Sequence, residues 1–168
     1  MKYIKDNYNY LLFSFFLVSI LFWFVEMGYS LIFRNQFVLP GAWYGPYCPI
    51  YGLSFILLLM IFKKDGNFVL NTIKIALTVS IMEYVISFIS EKVFNNIIWD
   101  YSDKFLNLNG RICLEMSLAF TIAGLIMMYL FVPITEKIYK KHSNIIKYTN
   151  IILSIIMIID IVITLTIK

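Results

Sequence analysis

The stretch LLFSFFLVSILFWFVEMGYSLIF, residues 11–33, runs for 23 residues with a single charged side chain, Glu26. A helix rises about 1.5 Å per residue, so roughly 20 mostly apolar residues cross a hydrocarbon core about 30 Å thick. This run is long enough and apolar enough to be a membrane span. The preceding MKYIKDNYNY is not followed by a small-residue cleavage site, so a cleaved signal peptide is not expected and the run stays as a span.

Three further segments match it: 68–90 with 23 residues, 112–133 with 22 and 145–167 with 23. A shorter one, 50–62, has 13 residues and follows the Gly- and Pro-rich GPYCPIYG at 45–52. Thirteen helical residues cover only about 20 Å. Either this helix begins earlier, near Pro46 or Pro49, or it is re-entrant. Proline is tolerated in a first helical turn, which favours an early start and a span over 47–62.

Charge separates the two topologies. With five spans, Lys2, Lys5, Lys63, Lys64, Lys137, Lys140, Lys141 and Lys147 share one side, and Arg34, Lys92, Lys104, Arg111 and Lys168 the other, eight against five. A re-entrant 50–62 makes it six against seven, which orients nothing. The five-span arrangement obeys the positive-inside rule, with the N-terminus cytoplasmic and the C-terminus outside. The expected architecture is therefore all-α: one polytopic transmembrane helical bundle, residues 1–168, of about five spans.

Composition agrees. Residues of the AVILMFWYC class make up 61% of the chain and charged residues 14%, which a soluble domain of this size could not bury. The net charge of +4 sits in loops and does not point to nucleic acid. Cys48 and Cys113 are too few for a disulfide scaffold and read as small buried thiols. Whether they pair is open. His142 lies in a basic run. With no second histidine and no cysteine cluster, neither a metal site nor a cofactor is expected. No internal repeat is visible.

Ionisable residues inside a span are costly and are functional candidates by default. Glu26, Glu83 and Asp160 each lie 7 residues from the outer end of their span, roughly 10 Å deep, and Glu115 lies 3 residues inside its own. Lys74 lies near an inner end and can snorkel. Ser80, Glu83, Ser87 and Glu91 share one helical face. Arg111 and Glu115 are spaced to pair as i and i+4. Asp160, in an Ile-rich span without motif neighbours, reads rather as a helix-locking group. The outer loops, 34–49 and 91–111, carry LPGAWYGPYCP and the WDYS and NLNGR motifs. Trp43, Trp99 and Tyr101 suit an interfacial aromatic belt.

These motifs, in order, resemble the Putative ABC-transporter type IV family of CmpB-like bacterial membrane permeases. The resemblance rests on Glu26, on Gly45 to Gly52, on Glu83-Tyr84 with Ser87 and Glu91, on Trp99-Asp100-Tyr101-Ser102, and on Asn107 with Asn109-Gly110-Arg111-Ile112-Cys113-Leu114. The chain departs from the pattern at Leu39 to Trp43, where an Asn-Arg-Gly stretch is usual, at Ile98, and at Phe120-Thr121. The resemblance implies a permease subunit of the cell inner membrane, working with a separate ATPase, because the chain has no phosphate-binding loop of its own. Five spans are few for a complete pathway, so a homo- or hetero-oligomer is expected. The basic stretch 134–144 is the expected docking loop.

The expected site is an outward-facing polar and acidic pocket drawn from Glu26, Tyr47, Tyr51, Glu83, Ser87, Glu91, Asp100, Arg111 and Glu115. The carboxylates would bind cationic or hydroxyl groups, and Arg111 would balance their charge. The alternative is a non-transport scaffold, sensor or assembly factor whose buried carboxylates are structural. Nothing specifies a nucleophile, so no enzymatic activity is expected.

Overall fold

The computed structural model describes residues 7–41, 43–63 and 66–167, with the side chains of Arg34 and Phe94 left aside. Lys2, Lys5, Lys64 and Lys168 of the charge count, and Ala42 of the first loop, lie outside the described residues. The described chain is helical, with no strand and one isolated antiparallel bridge between Leu108 and Ile112. In order come α1 (Tyr8–Arg34), α2 (Pro49–Ile61), α3 (Phe68–Phe94), α4 (Leu114–Ile126), a π segment (Met127–Phe131) and α5 (Val132–Ile167).

The expected stretches 11–33, 68–90 and 145–167 lie within α1, α3 and α5, whereas the helix of 47–62 starts only at Pro49 and that of 112–133 only at Leu114. Among the described residues, three long helical stretches are apolar enough to cross a membrane, Tyr8–Phe33, Phe68–Val93 and Leu114–Ile167, and Pro49–Ile61 is a shorter apolar helix. The last stretch covers both expected C-terminal spans. The expected loop over 134–144 is instead helical, and the helix breaks at His142, whose φ of −125° and ψ of 29° are non-helical. No glycine or proline lies between 134 and 144, so nothing stops the helix earlier. Pro133 removes one amide from the ladder, and the π turn lies directly before it.

The structure repeats a motif that the residues alone conceal. α1 and α3 each have 27 residues; α2 and α4 each have 13. α1 starts on Asn7 and α3 on Asn67, and each asparagine side chain accepts an amide of the first turn, Tyr10 at 3.2 Å and Leu70 at 3.1 Å. They end on Asn35 and Asn95, both left-handed, whose amides return to the carbonyls of Ser30 and Ser90. In both copies a loop ends in Gly-x-x-Cys, Gly45 to Cys48 and Gly110 to Cys113, and the short helix begins at the next residue.

Two compact units form, one over Leu57–Pro133, the other over Lys2–Ile56 with Ile134–Lys168. In the second, the Tyr10 hydroxyl meets Thr135 at 2.8 Å, Tyr10 packs edge-on against Tyr139, and the Asn150 amide donates to the Asn9 carbonyl at 2.8 Å. The chain after α1 turns back along it. The Trp23 indole N–H donates to the Pro40 carbonyl at 2.8 Å, and the Cys48 amide to the Ser19 carbonyl at 3.0 Å. Ser19 lies 15 residues before the end of α1, so the loop descends about 22 Å before α2 starts. Non-helical backbone at such depth is tolerable only where it is buried in protein or lines a cavity.

In the Leu57–Pro133 unit, α3 and α4 pack through Ile75 against Gly124 and through a Ser80–Ser117 hydroxyl pair at 3.1 Å. Tyr129 of the π segment lies edge-on to Phe62 and accepts from the buried Asn71 amide at 3.2 Å. Outward faces of the helices stay apolar and exposed, among them Phe24, Ile32, Ile81 and Ile158, as surfaces that lipid rather than water would cover.

Candidate functional site

The site residues expected from sequence fall into two groups, one in each compact unit. Glu26, Tyr47 and Tyr51 belong to the unit that contains α1; Glu83, Ser87, Glu91, Asp100, Arg111 and Glu115 belong to the unit that contains α3 and α4.

In the first group the Gly- and Pro-rich entry to α2 is clamped by two carboxylates. Glu26 accepts from the Tyr51 hydroxyl and lies 3.7 Å from the Cys48 thiol. Phe22 stacks on Tyr51 with centroids 4.8 Å apart, which holds that ring over α1. Asp160 accepts the Tyr44 amide at 3.1 Å, the Gly45 amide at 2.9 Å, the Tyr47 hydroxyl, and the Thr164 hydroxyl at 3.3 Å. Asp160 thus organises the backbone around Tyr47, although no motif in the sequence marks it. Its charge within an Ile-rich span was the available signal. The locking expected of it is what the structure shows, with a loop as its partner instead of a helix. Beside it an open depression of about 370 Å³ is lined by Tyr44, Gly45, Ile156, Ile159 and Ile163.

The second group surrounds the polar stripe of α3. Ser87 and Glu83 are buried on it, each 6% exposed, and Glu91 is half-buried. Glu91 pairs with Arg111 and, at 3.0 Å, with Lys92. The Arg111 guanidinium lies over the rings of Tyr84 and Phe88, 5.5 and 5.4 Å from their centroids. The i, i+4 pairing of Arg111 with Glu115 does not form, because α4 begins at Leu114 and Arg111 lies in the loop before it. Glu115 instead is exposed, 3.8 Å from Lys104.

The loop that delivers Arg111 is built by its own polar groups. The Trp99 indole donates to the Arg111 carbonyl at 2.9 Å, and the Tyr101 amide to the Gly110 carbonyl at 2.8 Å. Asn109, left-handed at φ 56°, donates to the Tyr84 hydroxyl at 2.9 Å. Gly110 has φ 68°, and a Cβ there would meet Asp100 Oδ1 at 2.6 Å, so only glycine fits. Asp100 accepts the Ser102 hydroxyl at 2.5 Å and its amide at 2.9 Å, and these donors hold its carboxyl below the usual range. Asp100 therefore works within the loop, and Trp99 and Asn109, which the site expectation omitted, position Arg111. Both cysteines are free and buried. Among the described residues no group of three or more His, Cys, Asp or Glu is placed to hold a metal ion.

Long apolar helices and carboxylates held within them define a helical membrane protein. The chain belongs to the family described as Putative ABC-transporter type IV, which matches residues 13–165. No curated protein and no solved structure matches the chain.

Proposed function

We propose that this protein is the permease subunit of an ABC-type transporter in the bacterial inner membrane, rather than an enzyme. It would form one integral domain of five spans, N-terminus cytoplasmic and C-terminus outside, with an outward-facing polar and acidic site. Family membership supports the transporter class. The observation that carries the site is the descent of the loop to the level of Ser19, with Asp160 holding its backbone amides and Glu26 the Cys48 and Tyr51 side chains at the start of a short helix. Discontinuous helices of this kind line binding sites in transporters. A separate ATPase would dock on the basic helical stretch 134–144, and the subunit would work as a homo- or hetero-oligomer.

The test is a gentle-detergent pull-down of the tagged protein from its native membrane, read by mass spectrometry. A stoichiometric ATPase supports the reading. Self-association alone, repeated in nanodiscs, transfers it to the second reading, a membrane scaffold, sensor or assembly factor. One observation favours that second reading: Glu26, Asp160 and Glu91 already accept from donors of the chain itself.

A further inference from the structure

Among the described residues, Glu83 differs from the carboxylates Glu26, Asp160 and Glu91. It is 6% exposed, both of its oxygens are sealed from solvent, and neither has a hydrogen-bond partner among the described residues. The repeated motif supplies an internal comparison. Glu26 lies on the equivalent helix of the first copy, one helical turn further along, and accepts from Tyr51 and the Cys48 thiol. Asp160 has two amides and two hydroxyls, and Glu91 has Arg111 and Lys92.

The charged groups around Glu83 do not compensate it. On its own helix Lys74 and Lys92 are each 9 residues away, about 13 Å along the axis. On α4 the sole ionisable side chain is Glu115, which is exposed and turned to Lys104. From the loop, Arg111 pairs with Glu91 and lies over the faces of Tyr84 and Phe88, and Tyr101 is the loop side chain beside Glu83. Residues 57–61 of α2, in the same unit, carry no ionisable group. Burying an ionised carboxylate without a compensating charge or hydrogen bonds is strongly unfavourable.

We propose that Glu83 is a proton-binding site: it carries a proton in this conformation and releases it only when the packing around α3 opens. On opening, the carboxyl O–H bond breaks heterolytically, the proton passes to the water admitted, and the carboxylate is left free for a cationic group. The proposal deepens the reading of Glu83 as part of a membrane site and rests on that reading for its use. Its test needs neither an ATPase nor a substrate, so the two can fail separately.

The experiment is infrared spectroscopy of the full chain in lipid nanodiscs at pH 7, wild type against Glu83→Gln. The expected result is a carboxylic-acid C=O stretch in the wild type that Glu83→Gln abolishes. Glu83→Gln, which copies the protonated side chain in shape and charge, should also keep the wild-type Tm at pH 7. No such band, or a band that survives the substitution, overturns the proposal. If Glu83→Gln does not fold, Glu26→Gln and Asp160→Asn assign the band: its persistence in both supports Glu83, and its loss in either overturns it.

Discussion

The carboxylate of Asp160 accepts the backbone amide of Gly45 at 2.9 Å across 115 residues of chain. A charge in an Ile-rich helix is thereby spent on a turn whose amides have no helix or sheet to satisfy them. Removing the acceptor leaves the Tyr44 and Gly45 amides and the Tyr47 hydroxyl without it. Asp160→Ala should cost about 2–3 kcal/mol, and Asp160→Asn less, because one carbonyl oxygen remains. Thermal melting of the purified variants in detergent checks the order; equal melting of Asp160→Ala and wild type would remove Asp160 from this role.

Two glycines in helices should respond in opposite directions. A Cβ on Gly52 would lie 2.6 Å from the Phe15 carbonyl oxygen, which is backbone and cannot swing away, whereas a Cβ on Gly28 meets nothing within 4 Å. Gly52→Ala is expected to destabilise by about 1–3 kcal/mol. Gly28→Ala is expected to be neutral or to stabilise by up to about 1 kcal/mol. Fluorescence-detected size-exclusion after heating distinguishes them.

Arg111 and Glu91 should behave as one unit. Arg111→Gln and Glu91→Gln are each expected to lower the Tm, and the double variant to lose less than the two losses together. Arg111→Lys should restore only part, since an ammonium cannot lie flat on Tyr84 and Phe88 while reaching Glu91. Additive losses would mean that the pair does not couple.

The loop 99–112 should loosen in acid. Asp100 has its carboxyl lowered by the Ser102 hydroxyl and amide, so it binds fewer protons folded than unfolded. Its contribution is present above the ordinary carboxylate range and is lost as pH falls through its lowered value. The protection of the Tyr101 amide against hydrogen exchange, taken relative to the intrinsic rate at each pH, is expected to fall over that acid window in the wild type. In Asp100→Asn it should be low throughout, with the acid step gone.

Both thiols should resist modification in the folded protein, at 4% exposure for Cys48 and 1% for Cys113. Maleimide labelling is expected only after denaturation, and rapid labelling of either cysteine in nanodiscs would contradict its burial.

By itself the sequence determined the helices and their medium. Apolar run length does this locally, since a stretch such as 11–33 must be both helical and lipid-covered whatever its neighbours do. The asparagines at 7, 35, 67 and 95 punctuate the two long helices, and the missing breaker in 134–144 was equally readable, although a loop was expected there. Only the tertiary structure decided which polar groups meet. Arg111 is four residues from Glu115, yet it pairs with Glu91, because the helix starts too late to carry the nearer partner. Asp160 holds a turn 115 residues away, and Glu83 is buried on α3 beside the loop residue Tyr101. The repeat of long helix, loop and short helix was hidden for the same reason. Its caps recur at a fixed spacing while the side chains between them differ, and the equal helix lengths show only in the backbone. Partner choice depends on distance through space, and a periodic pattern along the chain encodes direction on one helix but not what stands opposite.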